Sequence, residues 1–192
     1  MSKRNIAILT VILAIAIDQL SKIYIKTHFR LGEEFVVFPN WFIIHFTENN
    51  GMAWGFEFGG KAGKLFLTLF RLVAVSGIIY WLIQTIKNKV KTPVIIAISL
   101  ILAGAVGNII DSVFYGVLFN KSTRSTVASM LPETGYESFF HGKVVDMLYF
   151  PIYEGESFTF FNAIFNGADS WITIGVVILF LFHKEAFPKK VA

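Results

Sequence analysis

The sequence predicts a membrane all-α protein: a bundle of four transmembrane helices carrying a small extracytoplasmic β-cradle and an interfacial loop insertion. Three observations lead there. Apolar residues make up 55% of the 192 residues, and charged residues only 16%, against about 25% in soluble chains. Mean hydropathy is +0.63. The apolar residues are also grouped into long runs, which a soluble core of this size has no room to hide. Cysteine is absent, which excludes disulfides, a thiolate nucleophile, zinc thiolates and iron–sulfur clusters.

Four runs have the length of a span, about 20 residues for some 30 Å of hydrocarbon. Asn5–Ile25 contains Ile6–Ile17, whose one polar residue is Thr10. Leu65–Ile86 carries one acid or base within it, Arg71; Pro93–Phe114 carries Asp111; Phe160–Phe182 carries Asp169. None alternates as a lipid-facing strand does, so each reads as a helix. The first also has the basic start and apolar core of a secretory signal, but Asp18-Gln19-Leu20-Ser21-Lys22 offers no small-x-small cleavage site, which favours a retained helix.

Basic residues orient the bundle. Lys3 and Arg4 precede the first helix, Lys87, Lys89 and Lys91 fill the link between the second and third, and Lys184, Lys189 and Lys190 follow the fourth. All fall on one side, which places both termini in the cytoplasm and the loops at about 28–64 and 115–159 outside. In the first outer loop Phe42, Ile44 and Phe46 alternate with Trp41, Ile43 and His45, the pattern of a half-buried strand. A small sheet or cradle on the membrane surface follows. The second outer loop has a polar stretch, Asn120–Ser138, then the apolar run Val144–Phe150, too short to span and suited to a re-entrant or interfacial strand.

Charge inside a membrane is costly, at least about 2.5–3.5 kcal/mol at mid-bilayer, and usually has a task. At about 1.5 Å per residue, Asp18 lies roughly 20 Å into the first helix and Asp111 roughly 27 Å into the third. Asp169 falls in the outer third of the fourth. The three carboxylates share one level near the outer surface, within reach of Asp146 and Asn49. Each has a plain reading beside the functional one. Asp18 has Lys22 at i+4, and Asp111 serves equally as a polar strut beside Asn108. Arg71 snorkels from the second helix, and Ala103, Gly104 and Gly107 form a helix-packing patch. Asp169 has no cation within a turn and points most strongly to function.

The remaining chemistry is narrow. There is no His-Glu-x-x-His zinc motif; His28, His45, His141 and His183 are isolated. There is no Gly-x-Ser-x-Gly elbow and no phosphate-cradling Gly-Lys-Ser/Thr loop. What is left is carboxylates in a low-dielectric site. Two aspartates a few ångströms apart cannot both ionise comfortably; one takes a proton from water while the other polarises a carbonyl. A transporter using Asp18, Asp111 and Asp169 as relay groups is the second reading. It calls for carboxylates spread through the bilayer or an internal repeat. A non-enzymatic membrane scaffold is the third.

Five blocks resemble the bacterial lipoprotein signal peptidases, the signal peptidase II family. They are Asp18-Gln19-Leu20-Ser21-Lys22, Asn49-Asn50-Gly51-Met52-Ala53-Trp54, Gly107-Asn108-Ile109-Ile110-Asp111, Val144-Val145-Asp146-Met147 and Phe165-Asn166-Gly167-Ala168-Asp169-Ser170. The resemblance implies a four-helix aspartic endopeptidase of the bacterial inner membrane. It would cut the signal peptide from a prolipoprotein just before a diacylglyceryl-modified cysteine. It makes Asp146 and Asp169 the catalytic pair, with Asp18, Lys22, Asn49, Gly51, Asn108, Asp111 and Asn166 supporting the site or binding substrate. It implies no metal, cofactor or nucleic acid, a monomer among membrane lipid, and globomycin as an inhibitor in the same site. Three positions depart from the family pattern. Ser112 stands where Arg is usual, which leaves Arg71, Arg124 and Lys143 as substitute cations. Trp54 replaces Phe. Residues 112–145 form a long insertion between Asp111 and Asp146, a lid, a partner-binding element or a tolerated surface loop.

Overall fold

The computed structural model describes residues 1–39, 41–50, 60–151, 153–154, 159–160 and 162–187. In chain order the elements are α1 (Lys3–His28), β1 (Glu34–Phe38), β2 (Phe42–Asn49), α2 (Gly60–Lys87), α3 (Thr92–Leu118), β3 (Val144–Tyr149), β4 (Tyr153–Glu154), β5 (Thr159–Phe160), β6 (Ile164–Phe165), α4 (Gly167–Leu181) and α5 (His183–Ala186). The helices α1, α2 and α3 are long and apolar enough to cross a membrane; α4 is a shorter apolar helix. Outward-facing Ile12, Leu20, Phe66, Val73, Tyr80 and Phe180 are each more than half exposed. Lipid, not water, is the solvent such faces fit.

The fourth helix starts later than the run Phe160–Phe182 suggests. Ile164 and Phe165 are drawn into a strand, pairing with Tyr149 and Leu148, and the helix begins only at Gly167. Apolar content alone does not separate a buried strand from a helix. At 1.5 Å per residue the 15 residues of α4 rise about 22 Å. The third helix runs on past Phe114 to Leu118, so the inserted segment proper is 119–143.

Two compact units divide the chain, one of Met1–Asp18, Leu69–Gly107 and Gly167–Ala192, the other of Gln19–Thr68 and Asn108–Asn166. The first is helical. Its packing uses small residues: a Cβ added to Gly175 would stand 2.6 Å from both Ala97 O and Ile101 Cγ1, so glycine is what admits the neighbouring helix. Trp171 Nε1 donates to Ala14 O at 3.1 Å. Lys3 Nζ donates to Lys89 O and Val90 O at 2.6 and 2.7 Å, tying the start of α1 to the link after α2. Lys91 pairs with Glu185 at 2.6 Å and holds that carboxyl below its ordinary range.

The second unit carries an antiparallel sheet in the order β1-β2-β3-β6. Its core is Ile25, Phe46, Tyr115, Phe119, Val145 and Met147. Phe46 is fully buried in the alternating strand, as the sequence pattern requires. The segment 119–143 folds back along the end of α3, where helix carbonyls lack helical partners. Glu137 N donates to Gly116 O and Leu131 N to Leu118 O, at 2.9 and 2.8 Å. The long outer segment is therefore packed as part of this unit, with Tyr136 against the core.

Candidate active site

The second unit gathers most of the polar residues singled out in the sequence. Strand β3 places Asp146 among Val144, Val145 and Met147, all buried. Residue Thr47 of β2 lies opposite Asp146, and Asn49 opposite Val144. Alternation puts Thr47, Asn49 and Asp146 on one face of the sheet. The amide of Asn49 donates to Asp146 Oδ2. From the loop before α4, Asn166 Nδ2 donates to Asp146 Oδ1 at 2.6 Å. Both carboxylate oxygens thus accept from side-chain amides.

The network continues away from Asp146. Asn166 Nδ2 also donates to Asn108 Oδ1 at 3.2 Å. The same oxygen accepts from Lys22 Nζ at 2.9 Å, and Lys22 pairs with Asp111 at 2.8 Å with neither side chain exposed. Asp111 accepts further from Gln19 Nε2 at 2.9 Å and from the backbone N–H of Val145 at 3.3 Å, and Tyr115 OH donates to Gln19. Asp111 is therefore a junction between α1, α3 and the strand bearing Asp146. A buried ion pair of this kind holds only if its remaining lone pairs and protons are also met, and here they are met by amides.

In the first unit Asp18, fully buried, accepts from the backbone N–H of Ala168 at 2.8 Å. A carboxylate at a helix start meets unsatisfied N–H groups and the positive end of the helix dipole. Gly107 makes room for it: a Cβ there would lie 2.5 Å from Asp18 Oδ2 and 3.3 Å from the Ala168 Cβ. Gly107→Ala is expected to cost about 1–3 kcal/mol through overpacking, read as a lower thermal unfolding midpoint in detergent. Asp169 occupies the first turn of α4, partly exposed, and its carbonyl accepts from Thr173 Oγ1 at 2.9 Å.

Gly51, with Met52, Ala53 and Trp54, lies outside the described residues. Ser112, standing where a cation was expected from the family pattern, is buried and donates to Asn108 O at 2.9 Å. Of the substitute cations, Lys143 sits 3.9 Å from Glu48. The sequence assigned no role to Gln19, quoted only within a motif block, and did not single out Lys26, Glu48, Tyr115 or Ser122. One signal was present: Asp18, Lys22 and Lys26 recur every four residues, a single stripe along α1.

Three apolar helices of spanning length and a buried network of carboxylates, amides and lysine define a membrane protein with a polar interior. Comparison with known proteins supplies the family. The model of a family described as signal peptidase (SPase) II matches residues 10–184, and the chain belongs to that family. A lipoprotein signal peptidase of Porphyromonas gingivalis is 45% identical over 188 residues, which cover 91% of this chain and 81% of the relative. One from Chlorobaculum tepidum is 32% identical, covering 95% and 96%. A solved structure described as a bacterial membrane enzyme aligns with a TM-score of 0.62 at 28% identity, covering 97% of this chain and 92% of its own. The transporter reading finds no support in these relatives, and the enzyme reading stands as a peptidase of the signal peptidase II family.

Proposed function

We propose that the chain is an intramembrane aspartic endopeptidase. It removes the signal peptide from diacylglyceryl-modified bacterial prolipoproteins, cutting on the N-terminal side of the lipidated cysteine, with Asp146 and Asp169 as the catalytic pair. The observation that carries the reading is the amide pair on Asp146: two N–H donors, from Asn49 and Asn166, hold one carboxylate of the proposed pair in place. One aspartate of the pair, ionised, draws a proton from the attacking water while the other, protonated, donates to the scissile carbonyl oxygen. Collapse of the tetrahedral intermediate breaks the C–N bond; the first aspartate passes the proton taken from water to the leaving amine, and a hydroxyl of the intermediate returns a proton to the second.

In this reading α1, α2, α3 and α4 form a single integral membrane domain of four spans in the cytoplasmic membrane, with both termini inside. The sheet lies on the outer surface as a cradle, and the reaction takes place near the outer leaflet. The substrate's own signal helix brings its lipidated cysteine to that level. Acyl burial is worth about 0.8 kcal/mol per CH₂ in transfer from water. The bilayer already supplies most of it, so recognition falls to shape and headgroup contacts. The site residues Asp18, Lys22, Asn49, Gly51, Asn108, Asp111 and Asn166 support the pair, the enzyme acts as a monomer, and globomycin occupies the same site. The test uses purified protein in lipid with one prolipoprotein, with and without diacylglycerol on its cysteine. Cleavage of the lipidated form alone, immediately before the cysteine and blocked by globomycin, is expected. Equal cleavage of both forms, or of neither, overturns the assignment.

A further inference from the structure

Strand β2 has two polar ends of opposite direction. Asn49 faces Asp146, while Glu48, one residue earlier, points to the core face with Phe46, Val145 and Met147. On that face Glu48 meets Lys26 in an ion pair, and Lys26 is fully buried. The surroundings of this pair come largely from the end of α3 and the inserted segment 119–143. Ser122, 2% exposed, lies 3.1 Å from Lys26 Nζ and donates to Glu48 Oε1 at 3.2 Å. Lys26 Nζ stands 5.4 Å from the Phe119 ring centroid and 4.9 Å from that of Tyr136, the distance range of cation–π attraction. Lys143 Nζ approaches the second Glu48 oxygen at 3.9 Å.

The same segment reaches the other strand of the pair. Tyr136 OH accepts from the backbone N–H of Lys143 at 2.6 Å, directly ahead of β3 and three residues before Asp146. Burial pushes the Tyr136 phenol up, so the oxygen stays a neutral phenol. Leu31 N donates to Thr123 O at 3.0 Å, and Lys61 pairs with Glu137 at 2.9 Å.

We propose that Lys26, Glu48 and Ser122 are positioning residues for the peptidase reaction. The inserted segment 119–143 acts through them as a brace that fixes the spacing of Asn49 and Asp146 from behind the sheet. The inference rests on the reading of Asp146 as catalytic. A misplacement of about 1 Å at a reacting group can cost on the order of 10²-fold in rate, and β2 has no other charged anchor on its core face among the described residues. The brace is built on a buried charge pair, so removing one charge alone strains the fold. Removing both in a size-matched way does not.

The test measures kcat, KM and the unfolding midpoint for Ser122→Ala, Glu48→Gln, the double variant Lys26→Met with Glu48→Gln, and Asp146→Asn, all on the lipidated prolipoprotein. Glu48→Gln is expected to lower kcat about 10- to 100-fold with KM within about twofold. The double variant is expected to regain the unfolding midpoint lost by Glu48→Gln while kcat stays low. Ser122→Ala, which removes a single oxygen, is expected to lower kcat about three- to tenfold with little change in midpoint. A double variant that regains both midpoint and kcat overturns the brace and leaves a merely structural pair. If the double variant does not fold, Ser122→Ala decides: wild-type kcat overturns the inference. Inactive Asp146→Asn beside fully active Ser122→Ala and Glu48→Gln sinks the brace alone; active Asp146→Asn sinks the catalytic reading beneath it.

Discussion

Asp146→Asn and Asp169→Asn are each expected to abolish cleavage of the lipidated prolipoprotein, lowering kcat by at least about 10²–10⁴-fold while leaving the protein folded. Asparagine keeps the shape and removes the ability to exchange a proton, so the change isolates acid–base chemistry from packing. Position 146 has a particular twist. Its two oxygens accept from the amides of Asn49 and Asn166, and an asparagine there offers only one acceptor oxygen and a competing N–H₂ group. One of the two neighbouring amides must turn or lose its bond. Asp146→Asn should therefore also lower the unfolding midpoint, whereas Asp169→Asn, in the partly exposed first turn of α4, should leave it nearly unchanged. Single-turnover cleavage by gel and thermal unfolding in the same detergent check both statements. Residual wild-type activity in either variant removes it from the catalytic pair.

The second large effect is expected at Lys22. Lys22→Met withdraws the cation from Asp111, a carboxylate with no exposure, and the donor from Asn108 Oδ1. Breaking a buried pair by removing one partner typically costs about 3–5 kcal/mol, because a charge is left uncompensated. For a membrane protein of this size, that is expected as poor recovery of folded protein and a midpoint lowered by many degrees. The double variant Lys22→Met with Asp111→Leu is expected to recover most of the stability, since neither charge is then buried alone. Its cleavage activity should remain low, because Asn166 is linked to Lys22 through the shared Asn108 oxygen. Thermal unfolding of the single and double variants, run with the cleavage assay, separates the two contributions. A Lys22→Met protein as stable as the parent shows that the pair contributes nothing to the fold.

Much of this was legible in the residues because lipid is an unforgiving solvent. Long apolar runs announce α1, α2 and α3, and charges within such runs announce Asp18 and Asp111. The alternation around Phe46 announces β2. The start of α4 was not legible. Phe160–Phe165 is as apolar as the helix that follows, and only pairing with Leu148 and Tyr149 reveals a strand. Lys26 and Glu48 were hidden for a different reason. Alternation puts Glu48 on the face of Phe46, but nothing local says that Ser122 will meet it or that Phe119 and Tyr136 will stand over Lys26. Bonds between segments of unrelated sequence position are invisible to periodicity. The Asn49–Asp146 bond joins residues 97 apart.

That separation bears on how the protein is made. The backbone N–H of Ala168 reaches a carboxylate 150 residues earlier, at Asp18, and Asn166 reaches Asn108 across 58. Contacts so distant form late, after the loop-closure entropy has been met. A chain emerging from the ribosome can join Lys22 to Asp111 once α3 has entered the bilayer, which pairs two buried charges early. Asp146 and its partner Asn166 arrive only with the last quarter of these 192 residues. On the proposed pairing of Asp146 with Asp169, a nascent copy whose synthesis has not yet passed the start of α4 has no cutting power.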